Sequence, residues 1–404
     1  MNVLRFLTAG SVDSGKSTLI GRLLFDSKNI PDDQLQELSS ISDGQPNLAL
    51  VTDGLRAERQ QGITIDVAYR YFSSSKRRFI VADAPGHQEF TKNLFTGVSN
   101  CSLMVILIEA NQPFTDQTRR HCMVASVLQI PLLVAVNKMD AVDFSEQIFS
   151  ELQIDFLQMV SPLKLQSIEF IPVSALRGDN VVEKSSNLSW FMGKTLLEFL
   201  DTFQVNTREA DAPLRLFVQN VFSIPGNKKA ISGRIQSGKV QQGDQLIIAQ
   251  SHDKLTVKSI FTLGEKTEAA TSPDSVMLTV DEDSPCERGD LICSPTEGPS
   301  PVKKFHATLC WFDDSLLKEG KSFLLQYGTT QVSAFVEAIK AKMDINSFQQ
   351  IACSDGIQMN EIAEVIISTE QQVVMDTYSL LQQSGVGILI DLESNRTVAG
   401  ILKR

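Results

Sequence analysis

The sequence has few of the features that mark secreted, zinc-binding or membrane-inserted proteins. Its six cysteines, in 404 residues, include no Cys-x-x-Cys pair and no histidine at zinc-finger spacing. A disulfide framework and a structural zinc are therefore disfavoured, and the cytoplasm is the expected compartment. No apolar run reaches the roughly 18 residues that a membrane span requires. The opening stretch MNVLRFLTAG carries one positive charge and runs into a glycine-rich loop, which is not the pattern of a signal peptide.

Positive charge is also scarce. Lys plus Arg number 37 against 48 Asp plus Glu, for a net charge of −11, and no Lys/Arg-rich run is present. Because nucleic-acid binding rests on a basic footprint for the phosphates, non-specific nucleic-acid binding is disfavoured, while a specific RNA partner stays open. At about 150 residues per domain, the length predicts two or three domains.

Near-continuous apolar runs alternate with amphipathic helical stretches in the first half of the chain. The runs are LRFLTA, RFIVAD, LMVILIEA, PLLVAVN and IEFIPV. Such runs are typical of parallel strands covered on both faces, so they predict a doubly wound α/β domain with a mostly parallel sheet. The segment IDVAYRYF alternates apolar and polar residues instead, which predicts an edge strand.

The second half of the chain reads as short strands separated by Gly, Asn and Asp turns, which predicts two all-β barrel domains. A polar linker, VNTREADAP at 205–213, precedes them, and the breaker-rich stretch SPTEGPSPVKK at 294–304 separates them. The predicted domains are 1–207, 208–298 and 299–404.

The stretch GSVDSGKST matches the pattern G-x-x-x-x-G-K-[ST] of a phosphate-binding loop and lies between a predicted strand and a predicted helix. The glycines allow backbone N–H groups to surround a phosphate at the helix N-terminus. Lys16 is expected to bridge the β- and γ-phosphates and Ser17 to ligate Mg²⁺. The predicted nucleotide contacts are Gly10, Ser11, Val12, Asp13, Ser14, Gly15, Lys16, Ser17 and Thr18.

Two further residues are candidates for the metal. Asp83 ends the apolar strand FIVAD, where its carboxylate can reach Mg²⁺ through a water. Thr64 ends a long polar connection, and its hydroxyl can join the metal while a γ-phosphate holds the loop closed. The alternatives are an aspartate that caps a turn and a threonine that begins a strand.

The base is indicated by two later loops. VNKMD supplies Asn137, Lys138, Met139 and Asp140, and VSALRG supplies Ser174, Ala175 and Leu176. A carboxylate only accepts hydrogen bonds, so Asp140 suits the N1–H and 2-amino donors of guanine, which adenine lacks. The Ala175 N–H suits guanine O6, Asn137 can hold the loops together, and the Lys138 stem can lie over the base. These loops predict GTP as the ligand.

The motifs GSVDSGKS, GITI, DAPGH and NKMD resemble the signature of translation-factor-type GTPases such as elongation factor Tu. The stretches STLIGRLLFDSKNI, LALVTDGLRAERQQGITIDVAYRYF, FTDQTRRH and SALRGDNV more closely resemble the large, GTPase subunit of the bacterial two-subunit sulfate adenylyltransferase. The resemblance is dense from about residue 4 to 200 and thinner beyond. Neither the N-terminal extension usual in that family nor a fused kinase domain is in the sequence.

The resemblance implies that GTP hydrolysis drives adenylyl transfer from ATP to sulfate on a small partner subunit, as a heterodimer. It assigns DAPGH to the nucleotide site, with Ala84, Pro85, Gly86 and His87 near the γ-phosphate and His87 as the catalytic residue that orients the attacking water. An exposed loop histidine is the alternative for His87. Ala84 stands where the family usually has threonine.

Two other functions stay open. One is a translation-factor-like GTPase that carries an RNA or ribosomal partner. The other is a subunit that binds GTP without significant turnover, against which His87 argues.

Overall fold

The computed structural model describes residues 3–30, 48, 68–83, 101–112, 114–205, 211–224, 228–281 and 284–404. The chain divides into two compact units. The first comprises Met1–Val205 and Asp344–Gln349, and the second comprises Asn206–Met343 and Gln350–Arg404.

The first unit contains a six-stranded sheet. Its strands are β1 (Val3–Gly10), β2 (Ala68–Ser73), β3 (Arg78–Asp83), β4 (Leu103–Glu109), β5 (Leu132–Asn137) and β6 (Ile168–Pro172). They lie in the order β2-β3-β1-β4-β5-β6. Every neighbouring pair is parallel except β2 with β3. The predicted mostly parallel sheet is confirmed.

Burial along the strands explains the apolar runs. All residues of β4 and β5 are buried, as expected for central strands covered on both faces. Strand β2 lies at one end of the strand order, where Tyr69 and Tyr71 are exposed. The edge position predicted from the alternating pattern is therefore confirmed.

Within the described residues, four α-helices accompany this sheet: α1 (Lys16–Asp26), α2 (Asp116–Val127), α3 (Glu146–Val160) and α4 (Leu196–Thr202). The last three begin at hydroxyl N-caps, which accept a backbone N–H of the first turn. Helix α1 begins instead after Gly15, with no side-chain cap. Its first N–H groups therefore suit an anionic ligand.

In the described chain, the second unit begins with ten short strands. They are β7 (Arg215–Ile224), β8 (Lys228–Ser237), β9 (Lys239–Gln241), β10 (Gln245–Ile248), β11 (Lys254–Thr256), β12 (Ser259–Thr262), β13 (Glu265–Thr267), β14 (Ala269–Thr271), β15 (Ser275–Asp281) and β16 (Leu291–Cys293). Eight of them form an antiparallel sheet in the order β11-β10-β16-β7-β8-β15-β12-β13, and β9 pairs with β14. Leu255 lies on β11 at one end of this order and Ile260 on β12 next to the other end, yet they share one core. The sheet therefore curls around that core.

Six of the seven remaining strands form a closed barrel. The seven are β17 (Val302–Trp311), β18 (Ser322–Tyr327), β19 (Thr330–Met343), β20 (Gln350–Ile351), β21 (Ile362–Val373), β22 (Val386–Ile390) and β23 (Thr397–Lys403). Their order is β18-β22-β23-β17-β21-β19-β20, and β18 also pairs with β19. Six strands thus close into a ring, with β20 attached to β19. The predicted fold class, an α/β domain followed by all-β modules, is confirmed.

A buried ion pair joins the two sheets of the second unit. The Arg215 guanidinium donates two hydrogen bonds to the Asp376 carboxylate, each 2.9 Å long, and both side chains are almost fully buried. Arg215 also donates to the carbonyl oxygen of Glu297 at 2.6 Å, and Ser384 donates to Asp376. Arg215 belongs to β7, whereas Asp376 follows β21.

In the part of the chain that the structure describes, no helix is both long enough and apolar enough to pass through a lipid bilayer.

Candidate functional site

The loop between β1 and α1 is held closed by its own side chains. Lys16 Nζ donates to the carbonyl oxygens of Gly10 and Ser11 at 2.9 and 2.8 Å, and Ser14 Oγ donates to the Ser11 oxygen at 2.8 Å. Burial lowers the pKa of Lys16, an effect opposed by the nearby carboxylates of Asp83 and Asp13. The loop therefore places the Lys16 side chain at the N-terminus of α1, where a phosphate site requires it.

Two glycines of this loop are required by close approach. A Cβ on Gly10 would lie 2.8 Å from the carbonyl oxygen of Leu107. Gly15 has a φ of +89°, and a Cβ there would collide with the Asn137 amide. Any larger residue would push the loop away from the sheet edge.

Asp83 and Ser17 place oxygen atoms that suit a hard metal ion near this loop. Asp83 ends β3 in register with Thr8 of β1, whose hydroxyl donates to Asp83 Oδ1 at 3.1 Å. Ser17 is half-buried in the first turn of α1. Among the described residues, no group of three or more His, Cys, Asp or Glu side chains could hold a metal. One carboxylate and one hydroxyl fit a cation whose other ligands are phosphate and water oxygens.

The amide of Asn137 connects the phosphate loop to the loop after β6. Its Nδ2 donates to the Ser14 carbonyl oxygen at 2.9 Å, and its Oδ1 accepts the Ala175 N–H at 2.9 Å. The side chain is 2% exposed. Two loops that lie far apart in sequence are therefore held at a fixed separation.

Asp140 lies beside this connection. Its Oδ1 accepts the Ser174 hydroxyl at 2.6 Å, and the carboxylate is half-buried. Lys138 adopts a left-handed backbone conformation, Met139 and Ser174 are buried, and Val12 and Leu176 are exposed. A carboxylate oriented by one donor retains lone pairs for N–H groups of a ligand.

Two contacts of this site have no signal in the sequence. Arg22 of α1 donates to the carbonyl oxygens of Ala175 and Leu176 at 3.2 and 2.6 Å. Glu109, at the end of β4, accepts Lys138 Nζ at 2.5 Å. Arg22 lies more than 150 positions before its partners and looks like any surface residue of an amphipathic helix, so the sequence pattern does not reveal it.

Five predicted residues lie outside the described part of the chain: Thr64, Ala84, Pro85, Gly86 and His87. Their roles stay predictions.

Another histidine, His121 of α2, lies within the described chain and is 5% exposed. Burial, with a smaller contribution from Lys16 and Arg120, lowers its pKa to about 3. Its Nδ1 has no hydrogen-bond partner among the described residues. The imidazole is therefore neutral at physiological pH.

Two families match the chain. The elongation factor Tu GTP binding domain matches residues 1–206, and the GTP-eEF1A C-terminal domain-like family matches residues 304–402.

Several relatives match nearly the whole chain. The bifunctional enzyme NodQ of Rhizobium sp. (strain BR816) is 42% identical over 99% of this chain and 64% of its own length. Sulfate adenylyltransferase subunit 1 of Shewanella oneidensis is 41% identical over 99% of this chain and 85% of its own length. The subunit 1 of Bacteroides thetaiotaomicron is 40% identical, with shares of 98% and 85%. The chain thus spans 64% of the NodQ enzyme but most of the length of each subunit 1.

Proposed function

The chain belongs to the sulfate adenylyltransferase subunit 1 family and carries an elongation factor Tu GTP binding domain, and on this premise we propose that its GTP hydrolysis drives sulfate activation. ATP and sulfate would form adenosine 5′-phosphosulfate and pyrophosphate on a small catalytic partner subunit. The observation that carries the proposal is the 41% identity to a subunit 1 over 99% of this chain. The proposed setting is a cytoplasmic heterodimer with domains at 1–207, 208–298 and 299–404.

Guanine selectivity would rest on Asp140 and Ala175. The Asp140 carboxylate, oriented by Ser174, would accept the N1–H and 2-amino groups. The Ala175 N–H donates to Asn137 Oδ1 in this structure, so it would have to leave that oxygen to donate to guanine O6. Adenine has neither an N1–H nor a 2-amino group to donate to the carboxylate, so buried groups would stay unpaired. We therefore propose GTP and GDP, and not ATP, as the ligands of this chain.

The phosphates would bind to the backbone N–H groups of the loop and to Lys16, whose ammonium already lies against that loop. Ser17, Asp83 and Thr64 would hold Mg²⁺. When bound, this ion neutralises charge on the phosphates and orients the transferred group.

Hydrolysis would depend on His87. In the DAPGH motif of this chain, this histidine would orient the attacking water, with Pro85 and Gly86 shaping the turn beside Asp83 and Ala84. Positioning of this kind raises the rate of the chemical step without strengthening binding of the ground state.

The coupling is physically reasonable. A phosphate–sulfate anhydride is strongly unfavourable to form, so a free-energy source has to be linked to it. No covalent intermediate shared by the two reactions is implied, so the link would be conformational.

The proposal is tested by GTP hydrolysis of the purified chain, with and without a small sulfate adenylyltransferase subunit plus ATP and sulfate. We expect slow hydrolysis alone, strong stimulation with the partner, and adenosine 5′-phosphosulfate only in the complete mixture. Hydrolysis indifferent to that partner would contradict the coupling. Stimulation by ribosomes or tRNA would favour the translation-factor-like alternative.

Replacing His87 with Ala tests the hydrolytic role. The kcat for GTP should fall by about 10²-fold or more, because a positioned water contributes to the chemical step. GTP affinity should stay nearly unchanged, as measured by equilibrium titration. A substantial loss of affinity with unchanged kcat would instead assign His87 to binding.

A further inference from the structure

Glu109 is a buried carboxylate at the same sheet edge as the nucleotide loops. It is the last residue of β4 and lies in register with Asn137, the last residue of β5. Its side chain is 5% exposed, and its Oε2 accepts Lys138 Nζ at 2.5 Å. The next residue, Ala110, donates its N–H to the Asn137 carbonyl oxygen at 2.9 Å. The strand pairing and the hydrogen bond from Ala110 therefore hold the ends of β4 and β5 together next to this ion pair.

Lys138 is held at both ends, by its backbone at one end and by the ion pair at the other. The lysine backbone is left-handed, with a φ of 60°, and follows directly after Asn137. Its head group is fixed one strand away on Glu109, and Glu109 lines the same cleft as Ser11 of the phosphate loop. The four-carbon stem therefore crosses from the loop after β5 towards the side of the phosphate loop. A lysine without such an anchor has many rotamers to lose when it binds a ligand.

We infer that Glu109 is a positioning residue for guanine nucleotides. It holds the aliphatic stem of Lys138 in the position where the face of the purine ring would lie against that stem. This inference rests on the proposed function, because it assigns a role to a neighbour of the same site. Glu109 acts through Lys138 and makes no contact with the base edge that Asp140 would read. Its contribution is preorganisation, since the stem is ordered before the ligand arrives.

Fold stability alone does not explain a carboxylate at this position. Burying a charge costs free energy, and an apolar residue of similar volume often stabilises a protein as well as a buried ion pair does. Lys138 is about one-third exposed and could reach water without Glu109. The carboxylate therefore directs the head group of Lys138, which an apolar residue could not do.

The test is the binding of GDP and of inosine diphosphate to the full chain and to Glu109→Met. Inosine lacks the 2-amino group, so the ratio of the two Kd values reports the contact at the base edge. We expect Glu109→Met to weaken both nucleotides by the same factor, about tenfold, because the purine faces of the two are alike. The ratio should stay as in the unmodified chain. Glu109→Gln, which keeps a hydrogen-bond acceptor, should lose about two- to threefold.

The matched control is Glu151→Met, which makes the same change on the exposed surface of α3 and should leave both Kd values unchanged. Unchanged Kd values for Glu109→Met, or a changed ratio, would overturn the inference. A wild-type chain that binds GDP no better than ADP would instead overturn the proposed function.

If Glu109→Met does not fold, Glu109→Gln and Lys138→Met carry the test. The combined variant should bind GDP as weakly as Lys138→Met alone, because the carboxylate acts only through the lysine. Fully additive losses would overturn the inference.

Discussion

At the scale of single residues, the site depends on a few buried side chains with two roles each. The Asn137 amide is one of them, since its N–H donor and its oxygen acceptor serve two different loops. An aspartate in its place would direct an oxygen towards the Ser14 carbonyl, and an alanine would leave two buried backbone groups unpaired. The residue type is therefore fixed by the loops it joins.

His121 gives a residue-scale prediction on pH. Its pKa is about 3 in the folded chain and about 6.5 when unfolded. Between these values the unfolded chain binds the proton more readily, so the free energy of unfolding falls as the pH falls. The loss is up to about 1.4 kcal/mol per pH unit. Replacing His121 with Met should flatten this dependence between pH 7 and 5, as measured by urea unfolding.

The control is His306→Met, at an exposed position of β17. That variant keeps His121, so the part of the pH dependence that His121 causes should remain. Equal pH slopes for His121→Met and the unmodified chain would show that His121 is not excluded from protonation by folding.

At the scale of elements, helix α1 serves both ends of the proposed ligand. Its first residue, Lys16, folds onto the phosphate loop. Two turns later, Arg22 holds the backbone of the Ser174–Leu176 loop and is braced by Asp26 in an i, i+4 pair. One rigid helix therefore sets the distance between the phosphate loop and the Ser174–Leu176 loop, which we call the base loop.

Replacing Arg22 with Met should loosen the base loop while the helix stays intact, because Met is a good helix former. Charge-assisted hydrogen bonds to two carbonyl oxygens are lost. We expect GDP affinity to fall by about tenfold, a change of about 1.4 kcal/mol. Isothermal titration would measure it, with Arg78→Met on the exposed start of β3 as the matched control. An affinity equal to that of the control would show that the base loop is ordered without Arg22.

At the scale of the whole molecule, the second unit is stabilised by more than apolar packing. Core residues of its first sheet, such as Phe217 and Ile247, belong to the same hydrophobic core as Trp311 of the closed barrel. The Arg215–Asp376 pair and the hydrogen bond from Thr329 Oγ1 to the Val218 carbonyl oxygen add polar contacts. We therefore expect the two β modules to unfold together.

Replacing Asp376 with Ala should cost about 3–5 kcal/mol, because it leaves the Arg215 guanidinium buried without its counter-charge. Chemical denaturation of the full chain would measure the loss. The combination of Arg215→Met with Asp376→Leu should recover most of it.

The control is Asp281→Ala. It removes one partner of the exposed Lys258–Asp281 pair and should cost no more than about 0.5 kcal/mol. Equal losses for Asp376→Ala and Asp281→Ala would mean that the buried pair has little effect on stability.

The sequence predicts features that local rules determine. The parallel strands follow from unbroken apolar runs, the edge position of β2 from the alternation around Tyr69 and Tyr71, and the phosphate loop from glycine spacing. Contacts that depend on tertiary folding are not predictable in this way. Arg22 and Glu109 are ordinary charged residues until the fold brings Ala175 and Lys138 to them. The pairings of β17 with β23 and of β18 with β22, which complete the barrel, likewise join strands that lie far apart in the sequence.

The closed ring of β17, β18, β19, β21, β22 and β23 bears on self-association. Each of these strands exchanges backbone hydrogen bonds with a neighbour on both sides, so the ring gives another chain no strand edge to extend. The two-residue β20 is too short to serve as a template. Sheet-to-sheet aggregation, should the protein be concentrated or heated, would therefore have to begin away from the ring or wait until it opens.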